Sequence, residues 1–327
     1  VQKALYPKDC LAKKNCFTAK HWKKWRSPDS LFISNYKTGI IMQPNTVGII
    51  GAGNIGTSVA STLLLHNIRT ILVDISERQL ENARKEIVQT IKYAPLLNKQ
   101  LPKVAVETAM QNARFTSDLT EIRHCDFVIE NVPEEWAIKE KVYHQLDAIC
   151  DPGTSFGINT SCTSITQAGG AINRPDKVVG VHFMNPVYLM PTVEVIRGTH
   201  TSDETLATLH KLLARMNKDS IVVNDFPGFV SNRISHLFMN EAAFVVQDQV
   251  ADPKQVDAIF RECFGHRMGP LETADLIGLD TVMKSIDTLY ENYKDPKFRC
   301  CPLIKKKVFA GYLGRKSGKG FYDYVNV

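Results

Sequence analysis

The feature that most constrains this chain is a glycine turn set between a strand and a helix. Val47-Gly48-Ile49-Ile50 is a short apolar run that leads into Gly51-Ala52-Gly53-Asn54-Ile55-Gly56, and a helix-forming stretch follows. The spacing is G-x-G-x-x-G. Gly51 permits the tight turn, Gly53 lets the backbone approach a pyrophosphate, and Gly56 lets the helix pack closely on the strand. The helix start, at Asn54 and Ile55, offers free N–H groups and a positive dipole end to an anion. Alone, such a turn is a weak signal. Here a second apolar run, 70–73, ends in Asp74, 18 residues after Gly56. A carboxylate there accepts hydrogen bonds from ribose hydroxyls and repels a 2′-phosphate, which favours NAD over NADP.

The rest of the chain fits that beginning. Apolar runs at 47–50, 70–73, 127–129, 155–158, 178–183, 193–196 and 220–223 predict strands, with the first helices over 55–66 and 77–94. Such alternation predicts an α/β, Rossmann-type, mostly parallel sheet covered by helices. After Asn224 the pattern turns helical, over about 232–249, 253–264 and 279–292. Asp225-Phe226-Pro227-Gly228 breaks the two regimes apart. The expected organisation is therefore a dinucleotide-binding domain over 45–224 and a smaller all-helical domain over 225–327.

Charge is unevenly placed. Residues 1–44 carry nine Lys/Arg against two acids, while the other 283 residues carry 31 basic and 32 acidic side chains. The basic charge is thus confined to an extension, expected to be poorly ordered, and gives no reason to infer nucleic-acid binding. No apolar stretch of about 20 residues is present, so no spanning helix is expected. Eight cysteines form no CxxC pair and no Cys/His metal spacing, which points to reduced thiols and no metal. A cytoplasmic location is the default, and a mitochondrial one follows if the extension is a transit peptide.

Oxidising a hydroxyl to a carbonyl needs a base for its proton as well as a hydride acceptor. Of nine histidines, His182 stands at a strand end, directly before Met184-Asn185-Pro186 after Phe183. Ligands of open α/β sheets bind beyond the carboxyl ends of the strands, so His182 is expected to face the cofactor crevice. Glu194 lies inside the next apolar strand, where an unpaired carboxylate is costly. Pairing with His182 would relieve that cost and orient the ring. From the pattern alone, a structural histidine beside an edge-strand glutamate is an equally good reading. Ser161 at a strand end could bind a substrate oxygen or be an ordinary loop serine. Asn232 at a helix start could do the same or simply cap the helix.

Taken together these motifs resemble the 3-hydroxyacyl-CoA dehydrogenase family over about residues 45–327. They are the glycine turn, Asn159-Thr160-Ser161, His182-Phe183-Met184-Asn185-Pro186, Val193-Glu194-Val195-Ile196, Pro227-Gly228-Phe229-Val230-Ser231-Asn232-Arg233, Met268-Gly269-Pro270 and Gly318-Lys319-Gly320-Phe321-Tyr322. The resemblance implies that His182 is general base and acid, that Glu194 orients it, and that Ser161 and Asn232 hold the substrate oxygens. It also implies that Asp74, Glu134, Lys139, Asn185 and Lys316 lie along an NAD site. The substrate would be an acyl thioester of fatty acid metabolism, and the helical domain would form a homodimer.

The family's thioester-binding hairpin would fall at about 86–106, with Thr90 near a coenzyme A position. That segment looks short, with Pro95-Leu96-Leu97 where the family has a lysine; Cys162 replaces a second serine, and Pro191 a frequent lysine. A hydroxyacyl group tethered to an acyl carrier protein is therefore an alternative substrate. An alternative of another class is a non-catalytic, NAD-binding structural protein. A sugar-acid dehydrogenase of similar build fits less well, because those enzymes rely on Lys or Cys.

Overall fold

In the computed structural model, residues 43–324 are described. The basic extension, expected to be poorly ordered, lies outside them except for its last two residues. The chain opens with β1 (Thr46–Ile50), whose last four residues are buried. The strands that follow are β2 (Arg69–Val73), β3 (Ala113–Thr116), β4 (Phe127–Glu130), β5 (Ser155–Ile158), β6 (Val178–His182), β7 (Thr192–Arg197) and β8 (Asp219–Asn224). They form a single sheet in the order β3-β2-β1-β4-β5-β6-β7-β8. Every neighbouring pair is parallel except β6 and β7, which run antiparallel. β4, β5 and β6 are buried throughout, as strands covered on both faces must be.

Helices α1 (Asn54–Leu65), α2 (Glu77–Leu97), α3 (Val106–Gln111) and α6 (Asp203–Arg215) share one apolar cluster with the sheet. Helices α4 (Trp136–Ile149) and α5 (Ile165–Gly170) share the other. α2 shows how the pattern works. Ser76 caps its start by accepting from the Gln79 N–H at 3.3 Å. Leu80, Ala83, Ile87, Ile91 and Ala94 then recur on one face and are buried.

The remaining helices, α7 (Ser231–Gln247), α8 (Pro253–Glu262), α9 (Pro270–Ile277), α10 (Leu279–Tyr293) and α11 (Pro302–Phe309), enclose a third apolar cluster. α8 starts with Asp252 and Gln255 capping each other's backbone and Pro253 in the first turn. The fold is thus a Rossmann-type α/β sheet followed by a helical region. Among the described residues, no helix is long and apolar enough to cross a membrane.

β3 is not among the strands the apolar runs predict. Its four residues, Ala-Arg-Phe-Thr, include an exposed arginine and only one buried side chain, so no apolar run marks them. The strand exists because β2 offers it a parallel edge to pair with.

Candidate active site

Antiparallel pairing of β6 with β7 places His182 directly opposite Glu194. Their side chains meet: His182 Nδ1 lies 2.9 Å from Glu194 Oε2. Glu194 is held from the other side by α7. The backbone N–H groups of Val230 and Ser231 donate to Oε1 at 2.9 and 3.1 Å, and the Ser231 hydroxyl donates to Oε2 at 2.6 Å. Burial opposes the charge on Glu194. Hydrogen bonds from His182, Ser231 and the two backbone groups outweigh it and hold the carboxyl at about 2. An ionised carboxylate only accepts, so the His182 proton sits on Nδ1. In the neutral ring Nε2 is then the acceptor, and the Ser161 hydroxyl lies 3.2 Å from it. Phe229 packs edge-on against the imidazole, with ring centroids 5.9 Å apart.

Asn232 also reaches this group. Its amide donates to the Ser161 carbonyl at 3.0 Å. So the four residues singled out from the sequence are brought together: Ser161 from the loop after β5, His182 from the end of β6, Glu194 from within β7 and Asn232 from the start of α7.

His182 and Ser161 open onto a cleft of about 350 Å³ whose other walls include Gly53, Asn54, Ile55, Asn131, Glu134 and Phe183. The cleft therefore runs from the glycine turn to the imidazole. Gly51 has a φ of 95°, and a Cβ there would meet the Asn131 carbonyl oxygen at 2.8 Å. A Cβ on Gly56 would lie 1.9 Å from the Gly51 oxygen. Both positions require glycine. At Gly53 nothing lies within 4 Å of where a Cβ would be, so there is room for a bulky group against the backbone. No side chain caps α1, and its first turn carries no acid, which leaves its N–H groups to a ligand anion. Asp74 stands at the end of β2 and accepts from the Ala52 and Ser76 N–H groups at 2.8 and 2.9 Å. Those bonds fix the carboxylate at the rim of the turn. A dinucleotide fits this donor set: pyrophosphate at Gly53 and the α1 N-terminus, and a ribose at Asp74.

The chain matches the family description "3-hydroxyacyl-CoA dehydrogenase, NAD binding domain" over residues 46–226 and the C-terminal domain of the same family over 228–324. The chain belongs to the 3-hydroxyacyl-CoA dehydrogenase family. A 3-hydroxybutyryl-CoA dehydrogenase of Bradyrhizobium diazoefficiens is 38% identical over 85% of this chain and 94% of its own. One from Clostridioides difficile is 34% identical over 85% and 99%. The crystal structure of (S)-3-hydroxybutyryl-CoA dehydrogenase from Ralstonia eutropha superposes with a TM-score of 0.81 at 35% identity, covering 86% of this chain and 99% of that one. This member is an NAD-dependent dehydrogenase, and NAD is its cofactor.

Other residues implied by the family resemblance are distributed around the cleft. Glu134 Oε1 accepts from the hydroxyls of Thr160 and Thr163 and from the Cys162 and Thr163 N–H groups. Burial opposes its charge, while Lys139 and these donors together keep its carboxyl below the ordinary range. Lys139 is wholly buried and bridges Glu130, at 3.0 Å, to Glu134, at 3.5 Å. Lys316 pairs with Asp280 at 2.6 Å, in the first turn of α10. Asp280 and Glu134 line a second opening of about 780 Å³ along α10. Asn185 is exposed in the segment after His182, and Thr90 is half-buried on α2. Neither lines the 350 Å³ cleft.

Three residues that complete this group of side chains are not singled out from the sequence. Ser231 binds Glu194, but beside Asn232 at a helix start it reads as a capping residue. Asn159 donates to Asn131 at 2.8 Å and accepts from the Phe183 N–H at 3.3 Å. These two amides tie the ends of β4, β5 and β6 across the cleft floor. Their signal was faint: an asparagine directly after each of two buried strands.

Proposed function

We propose that this protein interconverts a 3-hydroxyacyl thioester and its 3-oxoacyl form, with coenzyme A as the thioester carrier. The observation that carries the proposal is the His182 Nε2 atom. It meets the Ser161 hydroxyl, its ring lines the cleft that begins at the glycine turn, and it is oriented through Nδ1 by Glu194. The names of the relatives supply the substrate class.

His182 takes the proton of the substrate hydroxyl at Nε2 during oxidation and returns it during reduction. Glu194 fixes the tautomer and stabilises the imidazolium formed when Nε2 is protonated. Ser161 and Asn232 hold the substrate oxygen as its charge changes. NAD, when bound, supplies the two-electron acceptor. Asp74, the glycine turn and the α1 N-terminus hold its adenosine and pyrophosphate. The Glu134–Lys139 pair shapes the wall further along, with Asn185 and Lys316 toward its outer edges.

We also assign the helical region to homodimer formation. Val230, Ile234, Leu276, Ile277 and Phe309 are apolar and exposed there, which supports an interface between copies. Light scattering of the purified protein at twice the chain mass is the expected result.

The decisive assay is NADH oxidation with acetoacetyl thioesters of coenzyme A, of an acyl carrier protein and of a short pantetheine analogue. Higher kcat/KM with coenzyme A than with the other two is expected. Preference for the carrier protein would support the alternative substrate. NADH binding with no turnover on any of the three would overturn catalysis and leave a structural role.

A further inference from the structure

Lys218 is a buried lysine that this mechanism does not use. It lies between α6 and β8 and is 7% exposed. Its ammonium donates to the Val187 carbonyl at 2.5 Å and to the Met190 carbonyl at 2.6 Å. Among the described residues, no carboxylate lies within 4.0 Å of it. Burial alone pulls it down to about 8. Burying such a cation is costly, and the two carbonyl bonds offset part of that cost. Here both bonds go to one piece of backbone.

That piece, residues 183–191, joins β6 to β7. It begins at the residue after His182 and carries Asn185. It is pinned at three further places. The Phe183 N–H donates to Asn159, the Val187 N–H donates to the Ser58 hydroxyl of α1 at 2.9 Å, and the Pro191 carbonyl accepts from the Asp219 N–H at 2.8 Å. Ser58 is buried on the helix whose N-terminus forms the phosphate site. Lys218 also lies close enough to His66, at the end of that helix, for its charge to oppose protonation there, alongside the larger effect of burial. Lys218, α1 and the 183–191 segment therefore form one packed unit.

We propose that Lys218 is a positioning residue: by holding the Val187 and Met190 carbonyls while the Val187 N–H donates to Ser58 of α1, it sets the 183–191 segment, and with it His182, in register with the cofactor cleft. This rests on the reading of His182 as the base.

The test uses Lys218→Met, which keeps the chain length and loses the donors, and Lys218→Gln, which keeps an N–H donor. Hydrogen exchange of the amides of 184–190 in protein without cofactor is the first readout. Lys218→Met is expected to speed it about tenfold or more while β1 and β4 keep their protection. Steady-state kinetics is the second. The expected loss is about tenfold to a hundredfold in kcat, with the thioester KM changed by less than about threefold. Lys218→Gln should fall between the parent and Lys218→Met in both. Adding Ser58→Ala to Lys218→Met should cost less than the sum of the two single changes.

Unchanged exchange over 184–190, a uniform loss of protection across the sheet, or a retained kcat would overturn the proposal. If Lys218→Met does not fold, Lys218→Gln is judged by the same criteria. Turnover retained by His182→Gln would remove the base while leaving the exchange result for Lys218 to stand or fall alone.

Discussion

Two carboxylates sit on interior strands of the sheet, and each has a nitrogen partner. Glu130 ends β4 and is bound by Lys139, by the Tyr143 hydroxyl at 2.9 Å and by the Val132 N–H at 2.6 Å. Glu194 lies in β7 and is bound by His182, Ser231 and two backbone N–H groups. Both acids are fully satisfied, yet their surroundings differ. The Glu130–Lys139 side chains are 1% and 0% exposed, and burial drives the Glu130 carboxyl upward against its donors. The Glu194–His182 side chains are 11% and 7% exposed, and the Glu194 carboxyl is held at about 2. The lysine directs its bonds to protein acceptors, Glu130, Glu134 and the Asn159 carbonyl. The imidazole has a second nitrogen, whose partner is the Ser161 hydroxyl at the cleft wall. An acid–base pair can exchange a proton with a substrate only where it borders the cleft, and of the two pairs the His182 pair does so.

Changing each nitrogen partner tests this distinction most strongly. His182→Gln should lower kcat by about a thousandfold, within the range of general acid–base catalysis, while NADH affinity by fluorescence titration stays within about threefold. Lys139→Met should show its loss in urea denaturation, about 3–5 kcal/mol, because it leaves a buried carboxylate without its cation. A Lys139→Met protein as stable as the parent would mean that the buried cluster is not a sealed pair. A His182→Gln protein with full turnover would make the two pairs alike.

One half of this contrast is legible in the sequence; the Glu130–Lys139 pair is not. The glycine turn, Asp74 and the alternation of apolar runs specify the β1–α1–β2 unit, because phosphate binding at a helix N-terminus demands glycine at fixed positions. His182 and Glu194 were legible as candidates, one at a strand end and one out of place in an apolar strand. Their partnership was legible as one of two equal readings and as what the family resemblance implies; the geometry that makes it was not. It depends on β7 running antiparallel to β6, and an apolar run has no direction. β3 and Ser231 escaped for a related reason: a short edge strand and a hydroxyl at a helix start acquire their roles from what packs against them.

Glu194→Gln removes the charge and keeps the side chain's shape. A drop of about a hundredfold in kcat is expected, smaller than for His182 because the base itself remains. The same variant changes acid stability. The Glu194 carboxyl lies at about 2 in the folded protein against an ordinary 4.5, so its contribution is full above 4.5 and is lost as pH falls toward 2. The variant's stability, measured by denaturation across that window, should fall less steeply with acid than the parent's. An equally steep fall would mean that other carboxylates carry the acid sensitivity.

Ser231→Ala probes the same carboxylate with the smallest change. Its hydroxyl donates to the Glu194 oxygen that also receives His182, and lies 3.2 Å from Nδ1. Without it, Glu194 keeps two backbone donors and the imidazole, so the carboxylate stays ionised and only its orientation loosens. One hydrogen bond to a charged group is worth about 1.5–3 kcal/mol, and the retained donors offset part of that, so a loss of about fivefold in kcat is expected. The thioester KM should not move, because Ser231 touches the acid and not the substrate. Ser231→Thr, which restores the hydroxyl, should recover most of the rate. A loss as deep as that of Glu194→Gln would mean that the hydroxyl, rather than the backbone of α7, is what holds Glu194 in place, and the dyad would have to be regarded as a three-membered unit.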